Sequence, residues 1–156
     1  MRSADPNKLE AGVWTASMGN MAQGVAWGAR EMGVKATVVV PEDAASSKLA
    51  SMDVLGASIR KIPRDAWFDL ILYRHDYPGM TGLFIHPASN RYVMTGQGTI
   101  GLEILEDLPD VNAVITPFGG GGLTAGVASA IQLIKPSARR NACELNTGAP
   151  LAPSLS

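Results

Sequence analysis

The stretch Ala113-Val114-Ile115-Thr116-Pro117-Phe118-Gly119-Gly120-Gly121-Gly122-Leu123 decides how this chain is read. A β-prone apolar run is stopped by a proline, passes through four consecutive glycines and opens into a helical pattern over residues 123–134, which ends near Pro136. This is a strand, a turn and a helix in immediate succession. The four glycines let the backbone turn without Cβ clashes and bring consecutive amides to one side. The helix amino end behind them adds partial positive charge, so such a turn suits a dianionic phosphate. It is not a P-loop, because no Lys-Ser/Thr pair follows, and the glycine spacing is not that of a dinucleotide fingerprint. A flexible linker is the competing reading. It fits less well, because a linker rarely joins a buried strand to an amphipathic helix.

The same alternation extends upstream. Strands are predicted at 13–16, 36–40, 58–62 and 82–85, and helices at 21–32, 46–55, 66–73 and 99–108. Gly33 and Gly56 stand where left-handed helix caps belong, and Asp65 is placed to cap the third helix. A last strand is expected at 141–145, then a loose Ala/Pro/Ser-rich tail over 146–156. Strands that alternate with helices predict an α/β fold on parallel sheet with right-handed crossovers. The residues at 88–98 mark the expected boundary between two lobes.

A second turn, Ser17-Met18-Gly19-Asn20, joins the first strand to its helix. Open parallel sheets bind ligands beyond the carboxyl ends of their strands, where both turns would lie. Asn20 has two readings of equal standing: it caps the helix, or it offers its amide to a ligand oxygen.

Composition narrows the class. Of 156 residues, 46% are hydrophobic and 17% charged, enough for a sizeable core. The net charge of −1, with no basic stripe, argues against a nucleic-acid partner. No stretch is long and apolar enough to span a bilayer, so a cytoplasmic protein is expected. The single cysteine, Cys143, fits a reducing compartment and reads as a buried structural thiol. Trp14, Trp27 and Trp67 read as core or lobe-packing aromatics, and His75 as part of a surface helix end.

Taken together, the segments 15–24, 36–42, 84–87, 96–105 and 119–123 resemble the fold type II pyridoxal-phosphate (PLP) enzymes. The nearest branch is the serine/threonine dehydratase and serine racemase group, and the resemblance runs from about residue 12 to 144. It implies the three-layer parallel-sheet fold of that type, with a leftover or disordered leader at 1–11, a complete small lobe at 12–87 and a partial large lobe at 88–145. It implies PLP as cofactor, with Gly119, Gly120, Gly121, Gly122 and Leu123 at its phosphate and Asn20 at the phenolic oxygen of its ring. Ser17, Met18, Gly19 and Asn20 would receive the carboxylate of an amino-acid substrate. The implied reaction removes the β-hydroxyl of serine or threonine to give a 2-oxo acid and ammonia, in an enzyme that forms dimers. The cysteine-synthase branch shares the fold, but Gln23, Gly24 and the 96–105 segment look more like the dehydratase branch.

The sequence also departs from that pattern. The lysine that joins the cofactor covalently follows a Ser/Asn-Phe motif upstream of the first strand, and no such motif is present; Lys8 lies in Asn7-Lys8-Leu9. Lys35, Lys48, Lys61 and Lys135 read as solvated surface. The chain is therefore expected to be a middle section of a longer enzyme, inactive alone. Met18 stands where the racemases carry an acid/base serine, which disfavours racemisation. Glu144 matches a metal ligand of the family, but Pro150 stands where its carboxylate partner would be, so no metal site is expected. Ser154 and Ser156 lack the context of the residue that meets the pyridine nitrogen.

Overall fold

The computed structural model describes Met1 and residues 4–145; Pro150, Ser154, Ser156 and the rest of the expected tail at 146–156 lie outside the described residues. The chain forms two compact units, one from Met1 to Pro87 and the other beginning at Ala88.

In the first unit β1 (Val13–Ala16), β2 (Ala36–Pro41), β3 (Ser58–Ile62) and β4 (Leu83–Phe84) form one sheet in the order β3-β2-β1-β4. All three pairings are parallel, as the alternation predicts. The Val-rich β2 is almost wholly buried, as a central parallel strand must be. Within the leader stretch, Pro6–Glu10 form a short helix, α1, with Asp5 accepting from the Asn7 N–H at 3.0 Å.

Helix α2 (Asn20–Glu31) buries Ala22, Val25, Ala26 and Ala29 against β1 and β2. Trp27 falls off that stripe and is 54% exposed, so it is not a core aromatic. Gly33 ends the helix at φ +66°, with Val34 N–H bonded to Ala29 O and Gly33 N–H to Arg30 O. This is a Schellman motif. Gly56 (φ +79°) closes α3 (Ser46–Val54) in the same way.

The third predicted helix differs from its expected form. Helix α4 (Arg64–Asp69) runs on into a π-helical turn, Leu70–Arg74, that ends at His75 with φ 59°. Pro63 precedes the first residue, and Asp65 is in the first turn rather than at the cap, where its charge still favours the helix dipole. The extra residue in that turn keeps Leu70 buried beside Trp67, Trp14, Ala16, Val39 and Ile62 in the core. The Trp67 indole N–H donates to Val39 O at 3.0 Å.

In the second unit, α5 (Arg91–Asp107) begins eight residues before the predicted start at 99. Asn90 is the reason: its side-chain oxygen accepts from Tyr92 N–H at 3.0 Å and Val93 N–H at 3.3 Å. Strand β5 (Ala113–Pro117) leads to α6 (Gly122–Ile134), and β6 (Arg139–Cys143) pairs parallel with β5. β6 starts two residues before the predicted 141. Every residue of β6 is exposed, Cys143 included, which corrects the reading of a buried thiol. Among the described residues β6 pairs only with β5, and apolar neighbours in sequence do not by themselves bury a thiol.

Candidate functional site

Two strand-to-helix turns, one in each unit, carry the residues that the sequence marks as candidates for cofactor and substrate binding. Ser17, Met18, Gly19 and Asn20 share the turn beyond β1. The buried hydroxyl of Thr15, the residue before Ala16, donates to Ile85 O at 2.8 Å and fixes the end of β1 against the chain leaving β4. Met18 packs against the Trp14–Trp67 core. Ser17 Oγ accepts from Gly19 N–H at 3.4 Å. Gly19 takes the cap position and no side chain caps α2, so the capping reading of Asn20 is wrong. Asn20 is the first helical residue and is exposed, which leaves its carboxamide at the rim of the turn.

Gly119, Gly120, Gly121, Gly122 and Leu123 share the turn beyond β5. It is anchored at its entrance by Phe118 N–H, which donates to Cys143 O at 2.8 Å. At its exit the Thr116 hydroxyl donates to Thr124 Oγ1 and the Thr124 hydroxyl to Pro117 O, both at 3.1 Å. This hydroxyl relay ties the first turn of α6 back to the strand. Sequence reasoning missed it; the signal was two threonines eight residues apart, one at each end of the glycine run.

Only some of the four glycines are demanded by geometry. Gly121 has φ +85°, where a side chain is strained, and its added Cβ would lie 3.0 Å from the Phe118 ring. A Cβ at Gly120 would lie 2.9 Å from Ala88 Cβ, whereas at Gly119 it would meet nothing within 4 Å. No side chain caps α6, and its helical ladder begins with Ala125 N–H bonded to Gly121 O at 2.8 Å. The amides before Ala125 thus have no intrahelical acceptor, which is the donor set an anion needs. The turn fits a phosphate group.

Covalent attachment of an aldehyde cofactor is a separate matter. Lys8, Lys35, Lys48 and Lys61 are exposed, and Lys135 Nζ donates to Pro109 O. None is an amine in an apolar pocket of the kind that makes a lysine nucleophilic. Elsewhere, Arg64 Nε donates to Asp43 at 2.8 Å, and this hydrogen bond holds the Asp43 carboxyl below the usual range. Among the described residues no group of three or more His, Cys, Asp or Glu side chains stands together, and Glu144 follows β6 partly buried.

A parallel α/β fold in which a strand passes through a glycine turn into an uncapped helix has the form that suits a phosphate-bearing cofactor. The model of the pyridoxal-phosphate dependent enzymes matches residues 1–156. The chain belongs to that family. It is 43% identical over 129 residues to the catabolic L-threonine dehydratase of Staphylococcus aureus, covering 82% of this chain and 37% of that enzyme. It is 43% identical over 141 residues to the L-threonine ammonia-lyase of Geobacter sulfurreducens, covering 89% of this chain and 35% of that enzyme. Maize serine racemase superposes with a TM-score of 0.84 at 34% identity, over 97% of this chain and 46% of the racemase. The chain thus spans a little over a third of the length of the curated relatives it matches.

Proposed function

We propose that this chain is part of a PLP-dependent ammonia-lyase that removes the β-hydroxyl of a small amino acid, threonine or serine, to give a 2-oxo acid and ammonia. The observation that carries this is the glycine turn 119–122, set between a parallel strand and an uncapped helix. The relatives named dehydratase and ammonia-lyase are 43% identical to it over 129 and 141 residues.

When bound, the cofactor supplies an electron sink for breaking bonds at the amino acid's α-carbon. The chain's own residues hold and orient. The backbone amides of Gly119, Gly120, Gly121, Gly122 and Leu123 bind the phosphate ester. Asn20 donates its carboxamide N–H to the ring's phenolic oxygen. Ser17, Met18, Gly19 and Asn20 receive the substrate carboxylate at the amino end of α2. Met18 carries no exchangeable proton, so the position where the racemases carry an acid/base serine would supply no acid here. That favours elimination over racemisation. In this reading the unit ending at Pro87 is the small lobe and the unit beginning at Ala88 is part of the large lobe. The intact enzyme is a cytoplasmic homodimer.

A second reading has its own support: with its lysines on the surface, the chain by itself binds the cofactor phosphate without catalysis. One experiment tests both. The purified chain is titrated with pyridoxine 5′-phosphate and with pyridoxine, neither of which can bond to lysine. It is then incubated with PLP, reduced with borohydride and mapped by peptide mass spectrometry. Binding of the ester alone, with no dominant labelled lysine, is expected. Equal affinity for the two compounds would refute the phosphate turn. One stoichiometrically labelled lysine, with ammonia released from threonine, would show the chain to be an enzyme by itself.

A further inference from the structure

Helices α5 and α6 meet backbone to backbone. A Cβ at Gly126 would lie 2.3 Å from Met94 O, 3.0 Å from Gly98 N and 3.1 Å from Gln97 Cβ. Further along, Gly98 faces Gly126 O, and Gly101 faces Val127 O and Ala130. Positions that rise along α5 meet positions that rise along α6, so the two helices run in the same direction. Their amino ends are side by side, and Ala88 accordingly backs Gly120.

Gln97 sits within this seam. Its side-chain oxygen is buried and has no hydrogen-bond partner among the described residues. A buried acceptor left without a donor costs about 1–3 kcal/mol, so its retention calls for an explanation. Helical side chains lean toward their own amino terminus, which in this parallel pair is also toward the amino end of α6. Gly126 is one helical turn beyond Gly122, and both are buried. The backbone groups without intrahelical partners at that end of α6 are N–H donors.

We propose that Gln97 is a positioning residue for the phosphate-binding turn: its carboxamide oxygen accepts a first-turn N–H of α6 as the turn closes on a phosphate. This bond sets the angle at which the remaining amides face the anion. It takes one donor at the amino end of α6, leaves the others to the anion, and complements the Thr116–Thr124–Pro117 relay, which holds the turn from the strand. The inference rests on the phosphate reading of the turn.

The test uses Gln97→Met, which keeps length and helix propensity and removes the acceptor, and Gln97→Glu, which keeps an acceptor oxygen but adds charge. Pyridoxine 5′-phosphate is titrated into each, with pyridoxine as the control, and thermal melts are recorded alongside. Gln97→Met is expected to melt at or above the temperature of the unaltered chain, because an unpaired buried acceptor is gone. It is expected to bind the ester about tenfold more weakly, the equivalent of one lost hydrogen bond, with no change toward pyridoxine. Gln97→Glu is expected to fold and to lose ester affinity through repulsion. Equal ester affinity in Gln97→Met and the unaltered chain would overturn the role of Gln97 and leave the turn intact. No ester binding by the unaltered chain would overturn the phosphate reading and this inference with it. A fall in both melting temperature and pyridoxine affinity would show Gln97 to be packing alone.

Discussion

Gly126→Ala tests whether the α5–α6 seam is as close as described. The added Cβ would lie 2.3 Å from the backbone oxygen of Met94, where ordinary contact begins at 3.4 Å, so the helices must part by about 1 Å. Backbone cannot swing aside as a side chain end can, and over-packing of this kind costs roughly 1–3 kcal/mol. Against that stands a gain of about 1 kcal/mol from alanine's helix propensity. Gly96→Ala is the matched control. It lies in α5, its Cβ would meet nothing within 4 Å, and it collects the propensity gain alone. All three tryptophans lie in the first unit, so indole fluorescence does not report this site. Amide hydrogen exchange of α5 and α6 does. Protection should fall in Gly126→Ala and rise in Gly96→Ala, with a net gap between the two variants of about 1–3 kcal/mol, the over-packing cost. Equal protection in the two variants would refute the close approach.

Other expectations follow from single contacts. Gly121→Ala forces φ +85° on an L-residue and should cost about 1–2 kcal/mol, whereas Gly119→Ala should leave stability unchanged; urea melts followed by circular dichroism separate them. Thr15→Val leaves the Ile85 carbonyl without its buried donor and should lower stability in urea by about 1–3 kcal/mol, seen in the emission of the neighbouring Trp14. Asp43, lowered by its hydrogen bond to Arg64, contributes stability that is present above the unfolded carboxyl value and is lost as pH falls through the lower folded one. Asp43→Asn should therefore lower stability above about pH 4 and leave it unchanged at the acid end, where Asp43 of the unaltered protein is protonated, and added salt should reduce the difference between the two proteins.

Much of the fold was legible because it is local. Strand runs stopped by proline, and Gly33 and Gly56 just past their helices, need only neighbours in sequence to be read. The start of α5 was legible in principle from Asn90, but the glycines at 96 and 98 weaken the helical pattern there and pushed the predicted start to 99. The π-helical turn at 70–74 was not legible, because the extra residue is set by keeping Leu70 in the core beside Trp67.

By itself the sequence determined the parallel α/β order, the positions of both candidate turns and the absence of the lysine motif, since each is a matter of residue type and spacing. Tertiary structure decided which atoms those turns present. Four identical glycines carry no mark of which one must be left-handed; the Phe118 ring and the entry to α6 assign that to Gly121. Asn20 was poised between cap and ligand until Gly19 took the cap position. Cys143 was read as buried from its apolar neighbours and Trp27 as a core or lobe-packing aromatic from its residue type, but burial belongs to the layer that covers a residue and not to its flanks or its type. The buried oxygen of Gln97 became visible only when two helices met over glycine, because a partner's absence is a property of three dimensions.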